Sequence, residues 1–182
     1  MARDELDMEL DKRQALLGLI REYPGLHLSE IARRLEWSPM LTEYHLRMLE
    51  KHDLVSSLEE DHYRRYYAKV EHHGVRVDVI GAVDKKLLGL LRHPVRLHLI
   101  TFLAAHGEGR NRDMAKSLGL SRPATSYQLA KLLKAGVVAK DEADRYRLVD
   151  APTILRLLRE HKPPEDLVES FRSLWDRLSP GV

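Results

Sequence analysis

The residues of this chain best suited to chemistry are cations and hydroxyls at helical spacing, followed by two arginines in an alternating stretch. Arg122, Ser126, Tyr127 and Lys131, with Lys134 near the end, fall on the outward side of SRPATSYQLAKLLKAGVV, residues 121–138. Thr125, Leu129 and Leu132 face inward on the same helical period. Arg145 and Arg147 follow in a short extended segment. Hydrogen-bonding side chains with no acid among them make a surface for a polyanion: cations for phosphate, guanidinium and hydroxyl for base edges. An earlier set, Tyr44, Arg47, Arg64 and Arg65, is weaker, because Glu43 and Glu50 share its helix face and Met40 is apolar. Glu can accept from cytosine N4. This earlier region therefore either meets protein or takes an auxiliary DNA role through Arg64 and Arg65, which follow the helix in an extended stretch.

Other chemistries find little support. The chain has no Gly-rich phosphate loop, no nucleophile–base pair and no metal-ligand set, so catalysis is not expected. Ten histidines raise the question of a metal site, with His72-His73 and the group His93, His98 and His106 as candidates. No His-x-x-x-His spacing recurs with carboxylates, and with no cysteine there is no thiolate ligand. These read as surface and boundary histidines; no metal and no cofactor is expected.

The cationic face requires a helix held at a set angle, and the sequence supplies its punctuation. Ser121 suits an N-cap, Pro123 fits the first turn, and Gly136 supplies a left-handed exit before Val137-Val138. The same arrangement occurs earlier, at a constant offset of 83 residues. From Leu28 to Val55 nine positions are identical without a gap, among them Ser38 with Ser121, Thr42 with Thr125, Tyr44 with Tyr127 and Leu46 with Leu129. Repeats fix architecture. The expectation is a mainly α, α+β chain: two tandem winged helix-turn-helix domains with small β-hairpin wings, plus C-terminal helices.

In the first copy, residues 7–23 form a helix ended by Pro24-Gly25. Residues 26–28 form a short strand, Ser29 caps a helix over 30–35, and Ser38 caps the next. A hairpin follows with its tip at Glu60-Asp61. The first domain is assigned to 1–70 and the second to 84–150, with 71–83 an extended linker or an added strand. In the second copy the segment from Val138 to Arg145 is three residues shorter than that from Val55 to Arg65. Residues 151–182 carry two helices, the last with Leu167, Phe171, Leu174, Trp175 and Leu178 at helical spacing. This helix packs on its own domain or on a second subunit, and dimerisation through 151–178 is one expectation.

Composition agrees with an ordinary folded chain. Of 182 residues, 43% are hydrophobic and 32% charged, which excludes a disordered chain. No run of about 18 apolar residues marks a membrane span, and MARDELDMELDKR lacks the basic-then-apolar start of a signal peptide. A cytoplasmic location without membrane contact is the simple expectation. The net charge of +2 hides an asymmetry: residues 1–81 carry 12 Lys/Arg against 16 Asp/Glu, and residues 82–182 carry 18 against 12. A basic half joined to an acidic half is expected when one half meets a polyanion.

LLRHPVRLHLITFL at 90–103, the 121–138 stretch and Arg145-Tyr146-Arg147 together resemble the module of ArsR-type winged-helix regulators. SPMLTEYHLRMLEKHDLV at 38–55 and the wing Tyr63-Arg64-Arg65-Tyr66-Tyr67 are similar. Across nearly all of its length the chain most resembles archaeal regulators with two tandem winged helices, within the ArsR/MarR-like superfamily. The resemblance implies transcriptional regulation by binding double-stranded DNA, usually as a homodimer. It places base-reading residues at Arg122, Ser126, Tyr127 and Lys131, and backbone contacts at Arg145 and Arg147. A protein-interaction adaptor built of tandem winged helices is the alternative.

Overall fold

A pair of short helices joined by a capped turn occurs twice. The computed structural model describes residues 2–178, with side chains from residue 9 onward; residue 1 and residues 179–182, the outer ends of the first and last expected segments, lie outside the described residues. Helices α2 (Leu28–Leu35) and α3 (Pro39–Lys51) recur as α6 (Asn111–Leu118) and α7 (Arg122–Lys134), every bound displaced by the 83 residues of the repeat. The Ser38 hydroxyl accepts from the Leu41 N–H at 3.2 Å, and the Ser121 hydroxyl from the Ala124 N–H at 3.3 Å. Buried Thr42 and Thr125 donate their hydroxyls back to the carbonyls of those serines, at 3.0 and 3.1 Å. The turn ahead of each serine needs a left-handed residue. Gly119 takes it with φ of 64°, where only glycine escapes a Cβ penalty; its counterpart Glu36 holds φ of 55°.

The chain divides into two compact units, 1–89 and 90–182. In the first, α1 (Ala2–Glu22) packs on α2 and α3 around Leu16, Ile20, Leu26, Ile31, Leu46, Leu49 and Val55. The cap of α2 is His27 rather than Ser29, and its backbone N–H donates to the Glu30 carboxylate at 3.1 Å. Because Leu28 already belongs to the helix, the strand expected at 26–28 shrinks to one bridge, His27 with Arg65. Strands β1 (Val55–Glu60) and β2 (Tyr63–His72) form the wing, turning at Asp61-His62, one residue later than expected.

Residues 71–83 are mostly not a linker. β2 runs on to His72, and β3 (Val75–Asp78) folds back on it, setting Val70 opposite Val77. Helix α4 (Ala82–Leu91) starts in this unit and covers one face of the three-stranded sheet. The Tyr67 hydroxyl donates to the Lys85 carbonyl at 2.7 Å, and the Lys85 ammonium lies 2.6 Å from Asp78. Gly89 sits against the wing so closely that a Cβ there would lie 3.0 Å from Cδ of Arg65. The first wing is thus a covered sheet.

The second unit is built on α5 (Pro94–His106), with α6, α7 and a sheet in the order β4 (Glu108–Arg110), β6 (Arg145–Leu148), β5 (Val138–Lys140). Buried Arg96 of α5 donates through Nε to the Gln128 side chain at 3.1 Å, tying α7 to the unit's central helix. Helix α8 (Ala151–Glu160), capped by Asp150, leads to α9 (Glu165–Val168), a 3-10 turn at Glu169–Phe171 and α10 (Arg172–Leu178). Leu167, Val168, Phe171 and Leu174 are buried, and α9 and α10 pack on α5 of the same unit. The last helix thus packs on its own domain. Among the described residues no single helix is long and apolar enough to cross a membrane.

His98 of α5 lies in this packing, stacked on Phe171 with ring centroids 4.3 Å apart and a ring nitrogen 3.2 Å from the Ser117 hydroxyl. Burial disfavours the imidazolium and pushes its pKa down to about 4 from 6.5. A group that titrates lower when folded binds more protons when unfolded, so its contribution is complete above pH 6.5 and is lost as pH falls towards 4. At roughly 1.4 kcal/mol per unit, the loss is on the order of 3 kcal/mol. Urea unfolding between pH 7 and 4 should show that slope, and His98→Gln should flatten His98's share of it.

Candidate nucleic-acid interface

In the second unit the N-termini of α6 and α7 converge beside the wing and leave a groove of about 630 Å³. Its cations are Arg110, Arg112, Arg122 and Lys140, with Ser126 on the helix side and Tyr146 on the wing side. Asp144 also lines it, already paired with Lys140 at 2.6 Å. That contact holds the Asp144 carboxyl below its usual range. Three guanidinium groups thus face a groove whose acid is spent, Arg112 with Asp113 of its own helix 3.5 Å from Nε, beside the positive end of a 13-residue helix.

Asn111 joins the two helix starts. Its amide donates to the Ser126 hydroxyl at 2.7 Å and to the Arg122 carbonyl at 3.3 Å. Ser126 is therefore oriented from below, with its own O–H left to donate outward. One turn along, Tyr127 is 60% exposed and the Lys131 ammonium lies 4.8 Å from its ring centroid. This cation–π contact, worth about 0.5–1 kcal/mol at an exposed site, stiffens both side chains. Lys134 is exposed at the end of α7. Arg122, Ser126, Tyr127, Lys131 and Lys134 are thus all on this one helix, Arg122 and Ser126 in the groove and the others farther along.

The two wing arginines divide. Arg147 is exposed, and no ion pair of its guanidinium is seen among the described residues. Arg145 is committed within the wing: Nε donates to Asp141 at 2.9 Å and Nη1 to Glu108 at 2.7 Å. The backbone N–H of Arg145, then that of Ala143, also holds the Asp141 carboxyl below its ordinary range. Arg145 therefore secures the hairpin turn, and to reach a phosphate it would have to exchange these partners. Both arginines alternate with Tyr146 along β6, and it is Tyr146 that lines the groove.

The equivalent surface of the first unit is internally neutralised. On α3, Arg47 pairs with Glu43 at 2.6 Å. Arg64 pairs with Glu50 at 2.9 Å and donates to Ser57 at 2.8 Å. Tyr44 is half-exposed with its ring edge-on to His45, and Met40 is 81% exposed. Arg65 corrects the sequence expectation outright. It is 2% exposed, bonded to Glu60 at 2.9 Å and to the Gly25 carbonyl at 2.9 Å, beneath α4. Arg65 and Arg145 stand at matching places in the two wings, three residues apart in the repeat, and each closes its hairpin through a carboxylate.

Sequence reasoning missed Arg110, Arg112, Asn111 and Lys140. The available signal was the run Arg110-Asn111-Arg112 opening α6, since the turn between α6 and α7 brings both helix starts together. Among the described residues no group of three or more His, Cys, Asp or Glu could hold a metal ion; His98 lies in the core, and His72 and His73 face each other at a turn.

Residues 10–75 match the model of an N-terminal HTH domain, and residues 93–140 match that of the bacterial regulatory protein, arsR family. An uncharacterized HTH-type transcriptional regulator of the archaeon Methanocaldococcus jannaschii is 28% identical over 138 residues, covering 74% of this chain and 32% of that relative. The chain spans about a third of the length of the curated relative it matches.

The separation between structural and exposed arginines is measurable. Arg65→Met removes a buried guanidinium that bridges Glu60 and Gly25 and should cost about 3–5 kcal/mol in urea unfolding. Arg64→Ala breaks an exposed pair and should cost no more than about 1 kcal/mol. Equal costs would contradict the burial of Arg65.

Proposed function

We propose that this chain, with its two helix-turn-helix domains, the second of the arsR family, is a transcriptional regulator that reads double-stranded DNA through its second unit. α7 enters the major groove with Arg122, Ser126 and Tyr127 towards base edges, and Lys131 and Lys134 towards the backbone. Arg110, Arg112 and Arg147 hold the flanking phosphates. The observation that carries this reading is the groove between α7 and the wing, where the guanidinium groups outnumber an acid that is already paired. Binding DNA in this way needs no catalysis and no cofactor. Two-fold symmetry would present two copies of α7 about 34 Å apart to successive major grooves, so a homodimer is the working form proposed.

The first unit supports a different role. Its α3 cations are matched by Glu43 and Glu50, and Met40 projects from the start of that helix. Such a face favours contact with protein, which leaves the adaptor reading to this half of the molecule.

Phosphate contacts release counterions, so duplex affinity should fall steeply and linearly in log–log form as salt rises. Arg122→Ala should lose about 1–3 kcal/mol of discrimination between specific and random duplex. Arg147→Ala should weaken both alike and lower the salt slope by about 1. Arg47→Ala should change neither. Duplex binding measured by fluorescence anisotropy across a salt series decides; a flat salt response would sink the proposal.

A further inference from the structure

The first unit ends its sheet in an open edge. β3 (Val75–Asp78) pairs with β2 on one side and with nothing on the other among the described residues. Natural edge strands are kept from pairing by shortness, charge, proline or a bulge. This one is four residues long with Arg76 and Asp78 in it, but it has no lysine, proline or bulge, and it exposes Val75 and Val77 within the strand and Val79 just past it, at 62%, 39% and 62%. Val70, opposite Val77 on β2, is 41% exposed and extends the apolar strip.

The backbone of that edge is poised to pair. His72 and Val75 close a two-residue turn at His73-Gly74, both with positive φ. In β2, Tyr66 N–H donates to Leu26 and Lys69 N–H to Leu54, on opposite sides of the strand. Even-numbered residues of β2 therefore bond away from β1, which puts Val75 and Val77 in the hydrogen-bonded pairs with His72 and Val70. Alternation then leaves the N–H and C=O of Arg76 and Asp78 pointing at the open edge.

We infer that this edge is a self-association surface, on which β3 pairs antiparallel with β3 of a second copy of the chain about a two-fold axis at Val77. The occupant is specified by charge and pattern. Val75-Arg76-Val77-Asp78-Val79 is palindromic with opposite signs. In this register Arg76 faces Asp78 of the second copy twice, Val77 faces Val77, and Val75 faces Val79 on both flanks. The outward backbone groups of Arg76 and Asp78 meet as hydrogen-bonded pairs, and Val77 falls in the close, non-hydrogen-bonded pair. A register slipped by one residue would set Arg76 against Val77 and forfeit the match. Asp78 keeps the capacity for it: Oδ1 takes Lys85 and Ser56, leaving Oδ2 for an arginine. The Arg76 side chain reaches the His52 carbonyl through Nη1, leaving its other donors. The inference rests on the reading of the chain as a homodimer, and gives that dimer a surface in the first unit.

The full chain lacks cysteine, which makes the register testable. Val77→Cys should form a disulfide-linked dimer under mild oxidation, because the two sulfurs meet at the axis. Val75→Cys should not, since those positions lie four residues apart, roughly 14 Å. Light scattering up to about 100 μM should give wild type twice 21.1 kDa, since an interface of this size is a weak one. Arg76→Asp and Asp78→Arg should each give 21.1 kDa alone and twice that when mixed, because the two variants complement each other; this recovery also shows that both fold. A monomeric wild type would overturn the dimer and this edge together. A dimeric wild type with neither cross-link selectivity nor response to the charge variants would overturn the edge alone.

Discussion

The structure depends most on the capped turn that sets the second helix of each pair. A serine hydroxyl takes the N–H three residues on, and a threonine one turn into the helix returns a bond to that serine's carbonyl. Both threonines are buried, so a polar side chain in the core is satisfied by the residue whose conformation starts the helix. This locks the angle between the two helices without a contribution from the outward face. The outward residues are then released from folding duty and can diverge.

Diverge they have, and the difference lies in pairing rather than in the number of cations. The first unit has arginines at Arg47, Arg64 and Arg65, but each is matched by a carboxylate within 3 Å. An arginine paired inside its own domain must exchange that partner to meet a phosphate, which lowers the net gain to near that of a surface ion-pair swap. In the second unit Ser126 replaces Glu43 and Leu133 replaces Glu50 at the repeat positions. Loss of two acids, more than gain of bases, is what opens the α7 surface.

Much of this was legible in the residues. The offset of 83 carried both helix pairs to matching bounds, because capping and the inward Thr-Leu-Leu pattern are local signals. The errors came where a second element intervened. Serine's capping propensity points to Ser29 as the cap of α2, whereas His27 takes the role through its backbone and Glu30. Residues 71–83 read equally as linker or strand because His73, unlike Asn or Gly, gives no sign of the left-handed turn it makes. Arg65 reads as an outward cation because alternation on a strand assumes one solvated face, and α4, which removes that face, lies well downstream in sequence. The pairing of Arg145 is hidden for a related reason: its two carboxylates come from the hairpin turn and from β4, and only the folded sheet brings them together.

The covered first wing and the open second one have the same cause. In the first unit the chain continues from the wing into β3 and then α4, which closes over Arg65 and Tyr67. In the second, Val149 and Asp150 lead from the wing directly into α8, capped by that aspartate, and the third strand of the sheet, β4, comes from ahead of α6 instead of folding back from the hairpin. A few residues of connection thus decide whether a wing serves as core or as contact surface. They also decide where unsatisfied backbone ends: covering one face of the first sheet moved its open edge outward to β3, where charge and valines alternate. A module duplicated in sequence can therefore divide its labour through its connections, with the helix pair itself left nearly unchanged.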